Sequence, residues 1–199
     1  MTADPLDPIL RALDRPRAPS SDHDLNPDTV LPEGRKLRPA GVLVPIELTP
    51  TGPRLWLTKR SSSLKHHPGQ VAFPGGKQDE GDADIVATAL REASEEIGLH
   101  PDNVEVLGSW SSHETVTSFL MTPVLARVRA PFSPVPEAGE VEEVFSVPLA
   151  HVLDAARFGV QYRRWRGARR YYYAVPYGPY YIWGATARIL RSLADAAET

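Results

Sequence analysis

Residues 76–99 run Gly76-Lys77-Gln78-Asp79-Glu80-Gly81-Asp82-Ala83-Asp84-Ile85-Val86-Ala87-Thr88-Ala89-Leu90-Arg91-Glu92-Ala93-Ser94-Glu95-Glu96-Ile97-Gly98-Leu99. Val86, Leu90, Ala93 and Ile97 recur at helical spacing, which predicts a helix over about residues 83–97 with Gly98 as its C-terminal cap. On a helical wheel at about 100° per residue, with Glu92 at the origin, Glu95 falls near −60° and Glu96 near +40°. The four apolar residues gather near about +130°, so the helix is expected to dock on a core with its acidic face turned away from it.

Outward from this helix the chain alternates. Val42, Leu43, Val44 and Ile46 read as a buried strand, and Leu55, Trp56 and Leu57 as its hairpin partner across Thr51-Gly52-Pro53. Residues 61–82 carry Pro68, Gly69, Pro74, Gly75, Gly76 and Gly81, so they are expected to be loop, with a short strand at 70–73. Further strands are predicted at 104–111 and 119–128, with Pro123 assigning the latter to an edge or a bulge. A short helix at 148–156, a hairpin over Gly167 and a closing helix at 183–196 complete the pattern. Near the start, a short helix is expected within residues 4–14, after which Pro16, Pro19, Pro27 and Pro32 interrupt regular structure. The expected organisation is an N-terminal arm with a short helix, 1–36, followed by one domain, 37–199. Strands interleaved with helices indicate an α/β or α+β sandwich around a mixed sheet.

Composition narrows the function. The 199 residues form one domain's worth of chain, and 20 prolines with 14 glycines stay below low-complexity levels. With 22 basic and 25 acidic side chains, net charge −3, there is no broad basic surface, so neither nucleic acid nor an anionic membrane is an expected partner. The absence of cysteine removes disulfides, thiol nucleophiles and thiolate metal sites. No basic leader precedes Pro8 and no apolar run nears the roughly 18 residues a bilayer requires, which makes the cytoplasm the expected compartment.

Glu92, Glu95 and Glu96 repel one another on a shared stripe, and a multivalent cation would reverse the sign of that interaction. Oxygen-only donors suit Mg²⁺ or Mn²⁺. Alone, such a face reads more simply as a solvated outer surface, since acidic helix faces are common. The residues around it decide. Gly76, five residues, Asp82, eight residues, then Arg91-Glu92-Ala93-Ser94-Glu95-Glu96-Ile97-Gly98-Leu99 resembles the Nudix box, departing from it in Asp82 for Glu and in one extra residue before Arg91. The preceding Trp56-Leu57-Thr58-Lys59-Arg60-Ser61 to Phe73-Pro74-Gly75-Gly76 resembles the second signature of the coenzyme A diphosphatase subgroup, with Trp56 for a leucine and Lys65 for an arginine. Ile182-Trp183-Gly184-Ala185-Thr186-Ala187 is similar to the C-terminal end of the same subgroup.

This resemblance implies a Nudix-type α/β/α sandwich, with Arg91, Glu92, Glu95 and Glu96 as the catalytic set. Gly76, Glu92, Glu95 and Glu96 would hold Mg²⁺ or Mn²⁺, Glu95 serving as a further ligand or as the base, and Arg91 would orient the carboxylates. Arg60, Lys65, His67 and Gly69 would contact substrate. The implied reaction splits the diphosphate of coenzyme A, and of its acyl forms, into 3′,5′-ADP and 4′-phosphopantetheine. Another nucleoside diphosphate derivative, such as ADP-ribose or a dinucleotide, and a non-catalytic nucleotide sensor are the competing readings; a homodimer is the candidate assembly. Glu140, Glu142 and Glu143 offer one further carboxylate, against a reading as solvated loop. His113-Glu114 lacks the second histidine of a metalloprotease motif. The aromatics Tyr171 to Trp183 read as packing, and Arg163, Arg164, Arg166, Arg169 and Arg170 as a solvated basic hairpin or an anion-binding patch.

Overall fold

The computed structural model describes residues 4–15, 17–31, 33–165 and 167–198; Pro16, Pro32 and Arg166 lie outside the described residues, as does the beginning of the chain. Its elements are α1 (Asp7–Leu13), β1 (Ser20–Ser21), β2 (Arg38–Thr49), β3 (Gly52–Arg60), β4 (Val71–Ala72), β5 (Gly75–Lys77), α2 (Ile85–Ile97), β6 (Val104–Ser109), β7 (His113–Glu114), β8 (Phe119–Val128), β9 (Val141–Pro148), α3 (Leu149–Val152), β10 (Gly159–Trp165), β11 (Ala168–Ala174) and α4 (Ala185–Ala197).

The apolar run of β2 is buried on both faces, as expected of a central strand. Val42, Val44 and Ile46 enter one core with Leu125 of β8, and Leu43 enters the other with Val124, Ala126 and Val128. α1, α3 and α4 cover the first face through Leu6, Ile9, Ala12, Leu149, Val152, Ile189, Leu190 and Leu193. α2 covers the second through Ala89, Ala93 and Ile97. The result is an α/β/α sandwich on a mixed sheet: β2 pairs parallel with β8, and antiparallel with β3 and β5. Each fully buried leucine or isoleucine contributes about 1.5–3 kcal/mol to this arrangement.

The β2–β3 hairpin holds only from Ile46↔Leu55 to Thr49↔Gly52. Beyond it the two strands part, and β5 takes the place beside Ala40–Val42. α2 lies close over the same stretch of β2, because a Cβ on Gly41 would sit 2.5 Å from the Ile85 carbonyl oxygen. Splay and close approach together bring β5 against the middle of α2.

Two expectations need correction. Of the two alternatives for Pro123 the edge is excluded, since β2 flanks β8 on one side and β6 and β7 on the other; the β6–β8 register does shift nearby, between Val106 and Gly108. Pro123 is tolerated because it falls where the neighbour changes from β6 to β7, its carbonyl accepting from the Trp110 amide at 2.7 Å. The acidic stripe of α2 does not simply face away from the core, since Glu96 is only 5% exposed. The buried residues of α2 are Thr88, Ala89, Ala93, Glu96 and Ile97, while Val86 and Leu90 are partly buried.

The N-terminal segment is strapped onto the domain. β1 pairs parallel with β7, the Ser20 hydroxyl meets His113 Nδ1 at 2.9 Å, and Asp22 accepts from the Val116 amide at 2.9 Å. The β10–β11 hairpin forms a separate two-stranded sheet. Tyr173, Tyr177 and Tyr180 pack on the core as expected, but Tyr171 and Tyr181 are exposed.

Candidate active site

α2 starts on Asp84, whose carboxylate accepts from the Ala87 amide at 2.8 Å, and stops at the left-handed Gly98. Its acidic stripe then meets β5. The Gly75 amide donates to Glu96 Oε2 at 3.0 Å, the contact that makes burial of that carboxylate tolerable. Gly76 faces Glu92: a Cβ there would lie 2.5 Å from Glu92 Oε1. A side chain there would displace the Glu92 carboxylate from its present position.

Arg91 organises the stripe from outside. Its Nε and Nη2 donate to Asp82 at 2.9 and 3.0 Å, its Nη1 donates to Glu92 at 3.0 Å and Glu95 at 3.1 Å, and Nη2 reaches the Lys77 carbonyl at 3.3 Å. One guanidinium thus joins the loop before the helix, the helix and β5. The cause of the Asp82 shift is plain: hydrogen bonds from Arg91, then from the Asp79 amide, hold its carboxyl well below the usual carboxylate range.

Glu92 and Glu96 are pushed the other way. Burial raises Glu92, against the opposing pull of Arg91. Burial raises Glu96 to about 7, opposed by the Gly75 amide and reinforced by Glu92. Ionised together, the two carboxylates are held apart from solvent and from full neutralisation, a state that a cation relieves.

They open onto a cleft of about 430 Å³, lined also by Arg60, Glu95, Glu137 and Glu140. The 135–137 segment is fixed there by amides of Val135 and Glu137 bonding to the Ile97 and Glu96 carbonyls at 3.0 Å each. Among the described residues, no three carboxylate or imidazole side chains close into a ready-made cage. Mg²⁺ is commonly held in just this open manner, by one or two carboxylates with water and substrate phosphate filling the remainder. The donor set fits a hard divalent cation: mutually repelling Glu92 and Glu96, a Gly76 backbone with no side chain to obstruct it, and carboxylate oxygens as the lining's anionic donors.

Of the residues singled out from sequence, Gly76, Arg91, Glu92, Glu95, Glu96 and Arg60 come together in the cleft. Lys65, His67 and Gly69 lie on the adjoining 61–70 loop, outside its lining. There the Gly69 amide bonds to the Arg60 carbonyl at 3.1 Å and the Gln70 amide to that of His67 at 3.3 Å, with His67 at φ 54°. His67 is an exposed residue, yet desolvation of its ring, then Arg60, His66 and Arg163, hold its pKa below the ordinary value. Of the three later glutamates only Glu140 lines the cleft; Glu142 pairs with Lys59 at 2.7 Å and Glu143 accepts from the Tyr180 hydroxyl. Sequence reasoning missed Glu137, which has no local motif, and the Asp82–Arg91 pair, whose only signal was an acidic residue near the usual place.

Residues 37–166 match the model of the NUDIX domain. A protein of Klebsiella pneumoniae (strain 342) named "Uncharacterized Nudix hydrolase NudL" is 40% identical over 193 residues, covering 87% of this chain and 96% of that protein. One of the same name from Escherichia coli (strain SMS-3-5 / SECEC) is 41% identical over 165 residues, covering 79% and 81%. Among solved structures, the MutT protein from Methanosarcina mazei Go1 superposes with a TM-score of 0.53 at 15% identity, over 84% of this chain and 96% of that one, a likeness of fold.

Proposed function

Because the chain belongs to the Nudix hydrolase family, we propose that its acidic cleft hydrolyses the diphosphate of coenzyme A, and of acyl-coenzyme A, to 3′,5′-ADP and the corresponding 4′-phosphopantetheine. One observation carries the reading: Arg60, from the signature that precedes the box, lines the same cleft as Glu92 and Glu96. Arg60 adds a cation beside the acidic stripe, with Lys77 and Arg91 also in the lining, which suits a substrate that is itself polyanionic.

Glu92 and Glu96, with the Gly76 carbonyl and Glu95 at the rim, would hold Mg²⁺ or Mn²⁺. Such an ion, when bound, neutralises the diphosphate and acidifies an attacking water. The chain's own residues do the rest. Arg91 keeps Glu92 and Glu95 oriented, the Gly75 amide fixes Glu96, and Arg60 draws the anionic substrate in. Lys65 on the adjoining loop extends that cationic approach, and His67 and Gly69 beside it would contact the substrate. All three helix carboxylates are present, which favours catalysis over a silent sensor.

The test is to incubate the purified protein with coenzyme A and Mg²⁺, with and without chelator, and to identify products by chromatography. Equal amounts of 3′,5′-ADP and 4′-phosphopantetheine, lost with chelator, are expected. Preference for ADP-ribose or a dinucleotide would replace the substrate assigned here, and no metal-dependent turnover of any of them would leave the sensor reading.

A further inference from the structure

The described arginines of the β10–β11 hairpin, Arg163, Arg164, Arg169 and Arg170, do not act as one patch. Arg163 pairs with Arg170 and Arg164 with Arg169 across the hairpin, so the two pairs occupy opposite faces. Arg169 lies over the Tyr162 ring on the exposed face, 4.8 Å from its centroid. Arg170 on the other face reaches Asp22 at 3.3 Å. Arg163 shares that face and lies over the Trp183 ring, 4.7 Å from its centroid; Tyr172 braces the same ring at 5.0 Å.

This face borders the loop that leads into the cleft. Gly184, next to Trp183, has Gln70 Nε2 beside it, 3.6 Å from where its Cβ would be, and the Thr186 hydroxyl donates to the Val71 carbonyl at 3.1 Å. Gln70 in turn pairs with Arg60, whose amide donates to the Gln70 carbonyl at 2.9 Å. The charge of Arg163 is felt at His67, together with that of Arg60. Asp22, which Arg170 of this face reaches, is engaged by His113, the Val116 amide and Arg170. Among the described residues neither Arg60 nor Arg163 has a carboxylate within ion-pair distance. A guanidinium stacked on an indole uses its face only, and its N–H donors remain in the ring plane, aligned for an oxyanion.

We propose that Arg163, held on Trp183 at the far side of the 61–70 loop from the acidic cleft, binds a phosphate monoester carried by the substrate away from its diphosphate. The inference rests on the coenzyme A reading above, since coenzyme A carries such a group and dephospho-coenzyme A does not. Arg163 then selects between them, while the carboxylates perform the same hydrolysis on either.

The experiment compares kcat/KM for coenzyme A and dephospho-coenzyme A in the wild type, Arg163→Ala, Arg163→Lys and Arg164→Ala, with thermal melts as a check on folding. Loss of a charge-assisted contact predicts that Arg163→Ala lowers the coenzyme A to dephospho-coenzyme A ratio about tenfold or more. Arg163→Lys recovers part of it, and Arg164→Ala, on the opposite face, leaves it unchanged. Equal losses on both substrates, or no loss, overturn the proposal. Calorimetric binding of 3′,5′-ADP against 5′-AMP gives a second readout that needs no turnover. Wild-type preference for 3′,5′-ADP that disappears in Arg163→Ala supports the site even if coenzyme A is not hydrolysed, in which case the reaction assignment alone fails. Equal affinity of the wild type for both nucleotides overturns the site.

Discussion

The Asp82 carboxylate receives two hydrogen bonds from the Arg91 guanidinium, at 2.9 and 3.0 Å, and its side chain is only 7% exposed. That fork sets the angle at which the third nitrogen of Arg91 reaches Glu92 and Glu95. Asp82→Asn keeps the shape but can accept only one of the two bonds and removes the charge. Loss of such an outer support commonly costs about 10- to 100-fold in activity or metal affinity, so kcat is expected to fall by that range while the fold persists. The pH dependence of its stability effect has a definite sign. A carboxyl depressed in the folded state stabilises fully above its ordinary 3.8 and loses that contribution only as pH falls through the lowered value. Thermal melts should therefore show the same gap between variant and wild type at pH 5 and pH 8; a gap that changes across this interval would argue against the pairing.

Glu96 behaves oppositely. Its carboxyl is raised from 4.5 to about 7, with burial the largest cause, so between those values the folded chain binds the proton that the unfolded chain has released. Stability of the metal-free protein must then decline as pH rises from about 4.5 to about 7, by on the order of 3 kcal/mol, and stay low above it. Glu96→Gln keeps an acceptor for the Gly75 amide without the ionisation. In chelator the variant should match wild type near pH 5 and exceed it increasingly towards pH 8 in denaturant melts. Mg²⁺ should recover the wild-type loss and not affect the variant comparably. Turnover by Glu96→Gln should fall by orders of magnitude. Parallel pH profiles for the two proteins would contradict the buried carboxylate.

The helix that carries these residues was legible because its signals are local: apolar spacing and Gly98 at its end. So were β2 and β3, where a dense apolar run is followed by a turn. What the wheel missed was the environment on its acidic side. Val86 and Leu90 set the expected core direction, yet Glu96 is buried more deeply than either, because β5 supplies the Gly75 amide from outside the helix. β5 itself is Gly75-Gly76-Lys77, with too few side chains to register as a strand. Pro123 misled for the reverse reason: its local meaning is sound, but the change of neighbouring strand that accommodates it is long-range. Glu137 reaches the cleft only through amide bonds to the end of α2, a contact no motif encodes.

The same long-range logic governs the first residues of the chain. Asp22 is shared by His113 Nε2 at 3.3 Å, the Val116 amide at 2.9 Å and Arg170 at 3.3 Å, and His113 is fully buried with Ser20 on its other nitrogen. Burial opposes ionisation of Asp22, but these partners outweigh it and hold its carboxyl below the ordinary value, so the stabilisation is present at neutral pH and lost in acid. Asp22→Ala would strand a buried imidazole nitrogen and a backbone amide, at a cost of about 2–4 kcal/mol, whereas Ser20→Ala removes one neutral bond and costs about 1 kcal/mol. With Leu6, Ile9 and Ala12 already in the main core, urea unfolding of both variants is expected to remain a single transition shifted to lower urea. If Asp22→Ala instead gave an early partial transition, residues 1–36 would be unfolding as an arm independent of the domain.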